Sequence, residues 1–224
     1  MGILAFAALI LSAQIAIGVA IGFAFRRAWR RALATPADFP SEVPTLPIAA
    51  ELAGVGAYLP DHQQPVVATA FGDRRSLASL AVHLHEIGHH RQHFARPLAV
   101  RVHWPLRMIA TLAGGLGTLI TGWALLDANP GLGYLGVVLC GANTVAAGGL
   151  VLLEWDASRR GVAILAPGRY HVQRGLLSLL ALAALTYLSV AWCLILPIWR
   201  PETACSLPST ENGPDSPLAS YHAA

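Results

Sequence analysis

Five consecutive residues, His85-Glu86-Ile87-Gly88-His89, set two imidazoles four positions apart with a carboxylate beside the first. On an α-helix such residues share one face and lie about one turn, ~5.4 Å, apart. Two ring nitrogens can then be offered to a single metal ion, while Glu86 handles a proton on water at that ion. H-E-x-x-H on a helix is the pattern of zinc-dependent peptide hydrolysis. Two histidines do not complete such a site, because a catalytic zinc takes three protein ligands and keeps one position open. A third ligand is needed, and so are the elements that bring it to the first two.

Those elements are of membrane length. The chain has 224 residues, of which 55% are hydrophobic and only 12% charged, with a mean hydropathy of +0.54. A soluble domain is roughly a quarter charged, so this is the balance of a membrane protein. A span needs about 20 predominantly apolar residues. Residues 3–25, 108–126, 132–153 and 176–198 qualify, and none of these stretches contains a charge. The first lacks a basic start and a small-residue cleavage site, so it is expected to stay as an anchor. Asp127-Ala128-Asn129-Pro130-Gly131 is a tight turn that makes the second and third spans a hairpin. Small residues along both, among them Gly114, Gly117, Gly136, Gly141 and Gly148, predict close packing between them.

All 15 basic residues are arginine, and the formal charge is +3. That charge is too small, and its arginines too close to apolar runs, for nucleic-acid binding. Arg26, Arg27, Arg30 and Arg31 follow the first span; Arg91, Arg96, Arg101 and Arg107 precede the second; Arg159, Arg160, Arg169 and Arg174 separate the third from the fourth. The positive-inside rule then puts the amino terminus outside and these segments in the cytoplasm. The expected fold class is mainly α, a polytopic membrane protein with about four transmembrane helices and a small cytoplasmic α+β segment. Its expected organisation is an anchor at 1–25, a cytoplasmic segment at 26–107, a transmembrane hairpin at 108–153, a second cytoplasmic segment at 154–175, a fourth transmembrane helix at 176–199 and a disordered tail at 200–224. Within the large segment, 32–50 reads as an irregular proline-rich linker. Residues 55–59 and 66–70 read as strands separated by a turn at 60–65, and 76–93 as a helix capped by Ser76.

Topology nominates the third ligand. Glu154 stands where the third span returns to the cytoplasmic face from which the second departed, and so beside the motif helix. Two neutral imidazoles and one carboxylate would leave a zinc ion with residual positive charge and an open position. Water there would be acidified toward a pKa of about 7. Glu86 would take that proton and later deliver it to the leaving amine. Asp156 either hydrogen-bonds a ligand imidazole or pairs with Arg159 or Arg160. His83, His90, His93 and His103 lie off the 85/89 pairing and read as surface or interfacial residues. Tyr170 and His171 are candidate oxyanion stabilisers. Cys140, Cys193 and Cys205 form no C-x-x-C pair and imply neither a disulfide framework nor a thiolate zinc site.

Three blocks of this sequence resemble the YugP-type family of membrane zinc metallopeptidases. Leu59-Pro60-Asp61-His62-Gln63-Gln64-Pro65 is similar to the family's L-x-D-H-Y-D-P turn. The stretch from Ser76 to His93 is similar to its S-x-A-x-x-A-V-A-A-H-E-x-G-H-A-x-Q-H helix, and Glu154-Trp155-Asp156-Ala157-Ser158-Arg159-Arg160 to its E-F-D-A-S-R-R. The likeness runs in the family's order from about residue 55 to 165. It implies a bacterial, zincin-like protease of the inner membrane acting on protein or peptide substrates. Zn2+ would be held by His85, His89 and Glu154, with Glu86 as base. It also implies a strand edge able to pair with an extended substrate. The chain departs from the family in a shorter segment before the turn, in His62-Gln63-Gln64, and in His83 and His90 where small residues are usual.

Three other classes compete. A catalytically degenerate relative would hold zinc as a membrane scaffold or modulator. A membrane di-iron oxygenase would need several histidine boxes, and the remaining histidines do not cluster into them. A transporter would place ionisable groups at mid-membrane, where this chain has none. No oligomeric state follows from the sequence.

Overall fold

The computed structural model describes residues 2–49, 56–59, 62–72, 75–166 and 168–189. The turn residues Pro60 and Asp61, the last part of the fourth expected span, Cys193, Cys205 and the tail at 200–224 lie outside the described residues. The described chain runs α1 (Ile3–Ala34), β1 (Ile48–Ala49), β2 (Gly56–Leu59), β3 (Gln64–Ala68), α2 (Leu77–Ala95), α3 (Pro97–Leu126), α4 (Pro130–Val162) and α5 (Tyr170–Leu185), followed by a 3-10 turn, Thr186–Ser189. Among the described residues, four helices are long and apolar enough to cross a membrane: α1, α3, α4 and Tyr170–Leu188. The chain has the build of a multi-pass membrane protein.

Local chemistry explains the element ends. Ser76 caps α2 by accepting from the backbone N–H of Ser79 at 3.1 Å. Asn129 caps α4 through the N–H of Leu132 at 3.2 Å, and Pro130 occupies its first turn, where a missing N–H costs nothing. The α3–α4 hairpin forms at the expected turn, with Gly114, Gly117, Gly136 and Ala146 buried along it. Gly141 and Gly148 meet open space and take no part in the close packing.

All three membrane-length elements around the site overrun the spans read from hydropathy. α1 continues through the arginines to Ala34, so 32–34 are helical where an irregular linker was expected. α3 begins at Pro97 and α4 extends to Val162, which puts Glu154 inside a continuous helix. Leu106 of the α3 extension packs on a separate cluster of Ala110, Ala146, Ala147 and Leu150, whereas the α1 and α4 extensions are amphipathic and their apolar sides meet in one core. Trp29 and Ala32 of α1, Val67 of β3, Leu80 and Leu84 of α2, Val162 of α4 and Leu176, Leu179 and Leu180 of α5 pack together there. Each large apolar side chain so buried contributes about 1.5–3 kcal/mol outside lipid.

The sheet is small and mixed, in the order β1-β3-β2. β2 pairs antiparallel with β3, from Gly56↔Val67 to Leu59↔Gln64. β1, within the stretch read as a linker, pairs parallel with β3. Among the described residues β2 is therefore an edge strand.

Candidate metal centre

The motif helix α2 crosses α4 with backbone nearly touching backbone. A Cβ on Gly88 would overlap the carbonyl of Ala157, and one on Gly161 would overlap the carbonyl of Leu84. Only glycine at both places lets the helices come this close. Gly88 is the fourth residue of H-E-x-x-H, so the crossing falls on the motif itself. As a consequence the face bearing His85 and His89 lies against the turn of α4 that bears Glu154.

Nε2 of His85 is 3.0 Å and Nε2 of His89 is 3.4 Å from Oε2 of Glu154. The two Nε2 atoms are 3.2 Å apart. Ligands held at ~2.0–2.1 Å in a tetrahedron are separated by about 3.3–3.4 Å. The three donor atoms thus already stand at the spacing of adjacent zinc ligands, and among the described residues they form the one such group.

The far side of each imidazole fixes its tautomer. Gln92 donates from Nε2 to the carbonyl of Leu153 at 3.0 Å and to Oδ2 of Asp156 at 3.1 Å. Both partners are acceptors, so the amide orientation is set and Oε1 of Gln92 must accept from Nδ1 of His89, at 3.3 Å. On the other ring, Oγ of Ser158 donates to the carbonyl of Glu154 at 2.8 Å and is left to accept from Nδ1 of His85 at 3.0 Å. With both Nδ1 atoms protonated, the Nε2 atoms carry the lone pairs in the neutral rings. That is what a metal requires. The donor set and its support fit zinc.

Glu86 is buried, 5% exposed. A Cβ on Gly56 would stand 2.8 Å from its Oε1, so edge strand β2 runs directly past this carboxylate. Burial raises the pKa of Glu86 above its ordinary value, and the neighbouring His85 and His89 only partly offset this. For His89, burial opposes the charge, but the carboxylate of Glu154 outweighs it and lifts the ring to about 9 in the metal-free protein. Since Nδ1 already carries hydrogen, the proton gained sits on Nε2.

Asp156 meets Gln92 and, at 2.8 Å, Nε of Arg160. It reaches the His89 imidazole only through Gln92. His103, read from the sequence as surface or interfacial, instead bonds Oε1 of Glu154 at 2.6 Å. His83 is no surface residue either: it is 1% exposed, with Nδ1 bonded to the carbonyl of Ser79. Tyr170 and His171 are exposed and meet edge to face, with no bond to the cluster. The spacing carried signals for the residues that were missed. Gln92 is i+3 from His89, the ring it supports, and Ser158 is i+4 from Glu154, on the face of α4 that meets His85. His103 precedes the second span by only five residues, at the point to which the hairpin returns Glu154.

A helix offering two histidines, a second helix offering a carboxylate and a buried glutamate beside an edge strand define a metal-dependent hydrolase of the peptidase kind. Residues 52–202 match the model of the family described as "Putative neutral zinc metallopeptidase", and the chain belongs to that family. No curated protein and no solved structure shows a significant match.

Proposed function

We propose that the protein is an integral-membrane zinc endopeptidase that hydrolyses peptide bonds at the cytoplasmic face, with His85, His89 and Glu154 holding Zn2+ and Glu86 as general base. The observation that carries this reading is the convergence of three donor atoms at zinc-ligand spacing beside a buried fourth group, Glu86. Zinc, when bound, supplies the positive charge that acidifies water and polarises a peptide carbonyl.

The remaining work belongs to the chain. Gln92 and Ser158 keep hydrogen on Nδ1 of both imidazoles, which leaves Nε2 of each as the atom offered to the metal. Glu86, its pKa raised by burial, takes a proton from water and returns it to the departing amine. Among the described residues β2 pairs on one side only, next to Glu86, and an extended peptide pairing on its other side would lay its backbone past the carboxylate. Arg101, Trp104 and Arg107 are exposed on the first turns of α3, on either side of His103. Arginine and tryptophan in this arrangement mark the level of lipid headgroups, which supports unstructured or juxtamembrane protein segments as substrates.

The test is Glu86→Gln in the purified full chain. The variant should keep its zinc and lose hydrolysis of an unstructured protein. Undiminished hydrolysis would contradict the assignment. Zinc without hydrolysis in the native chain would favour the scaffold reading instead.

A further inference from the structure

Glu154 gives its two oxygens to different partners. Oε2 faces His85 and His89, whereas Oε1 meets Nε2 of His103 at 2.6 Å. His103 stands outside the ligand ring, since the donors grouped within 4.8 Å of one another come from His85, His89 and Glu154. It approaches from a third helix, α3, and its ring lies edge-on to Tyr187 with centroids 6.3 Å apart. Glu154 itself is 4% exposed, so water does not compete freely for Oε1.

A carboxylate can hold a cation through one oxygen or through both. Engagement through both would fill the position that a hydrolytic zinc site leaves open. A bond of 2.6 Å is at the short end for nitrogen and oxygen, as expected when a partner is ionised. It occupies Oε1 and fixes the plane of the carboxylate. We propose that His103 is a positioning residue that retains Oε1, so that Glu154 presents Oε2 alone to a metal ion.

This inference rests on the zinc reading above, and its test separates the two. His103→Phe keeps a ring against Tyr187 and removes the nitrogen; His103→Gln keeps an N–H donor. Zinc affinity of the full chain in detergent is measured by competition with a chelator, and the absorption bands of the cobalt-substituted protein report coordination number. His103→Phe should bind zinc about 10–100-fold more weakly and show weakened cobalt bands as a second oxygen enters. His103→Gln should retain most of the affinity and the native spectrum. If His103→Phe does not fold, His103→Asn, too short to span the same gap, replaces it with the same expectation. Native affinity and an unchanged cobalt spectrum in the variant lacking the donor would overturn the inference while leaving the zinc reading intact. Equal losses in the Phe and Gln variants would overturn it too. A native chain that binds no zinc would remove both.

Discussion

Glu86 and Glu154 are almost equally buried, at 5% and 4% exposed, yet their surroundings have little in common. Glu154 accepts from His103 and faces two further imidazoles, so donors surround it. Glu86 lies against a glycine of β2, and among the described residues no donor is bonded to it. A carboxylate ringed by donors is held in place and suits a cation. A desolvated carboxylate with few donors takes up a proton readily and suits acid–base work. Burial alone does not distinguish the two roles; the partners do.

Several changes would break or sharpen that contrast. Glu86→Gln has the largest expected effect, lowering kcat about 10²–10⁴-fold with zinc content unchanged. Gln92→Ala removes the acceptor that fixes the His89 tautomer, and should weaken zinc binding about 10–100-fold with Glu86 untouched. Gly161→Ala forces a methyl group into the backbone of Leu84 and should destabilise the α2–α4 crossing by about 1–3 kcal/mol in thermal unfolding. Gly141→Ala, which meets open space, is the control and should leave stability nearly unchanged. The last is a pH effect. His89, lifted to about 9 without metal, must give up its Nε2 proton to a metal ion. Zinc binding should therefore release a proton below that pH, and affinity should fall by up to about tenfold per unit as pH drops, readable by titration in buffers of different ionisation heat.

The membrane half of the fold was legible because a single property, sustained apolarity, decides it. The hairpin argument also brought Glu154 to the right surface, and the cap at Ser76 followed from residue type. The helix overruns at 26–34, 97–107 and 154–162 were not legible by the same rule. In those stretches arginines alternate with apolar residues, and hydropathy windows end where amphipathic helices continue. β1 was missed because two residues in a proline-rich stretch carry no periodicity. His103 was set aside by its distance from His85 in sequence, although the topology that recruited Glu154 applies to it equally. Gly88 and Gly161 gave no signal as a pair, since each matters only when the other helix arrives.

Zinc content of the purified native chain and of Glu154→Ala, measured by elemental analysis after the same chelator wash, tests the central claim most directly. Stoichiometric zinc in the native protein and its loss in the variant are the predicted result. A variant that stays folded and retains zinc at the native level would contradict a centre shared between α2 and α4.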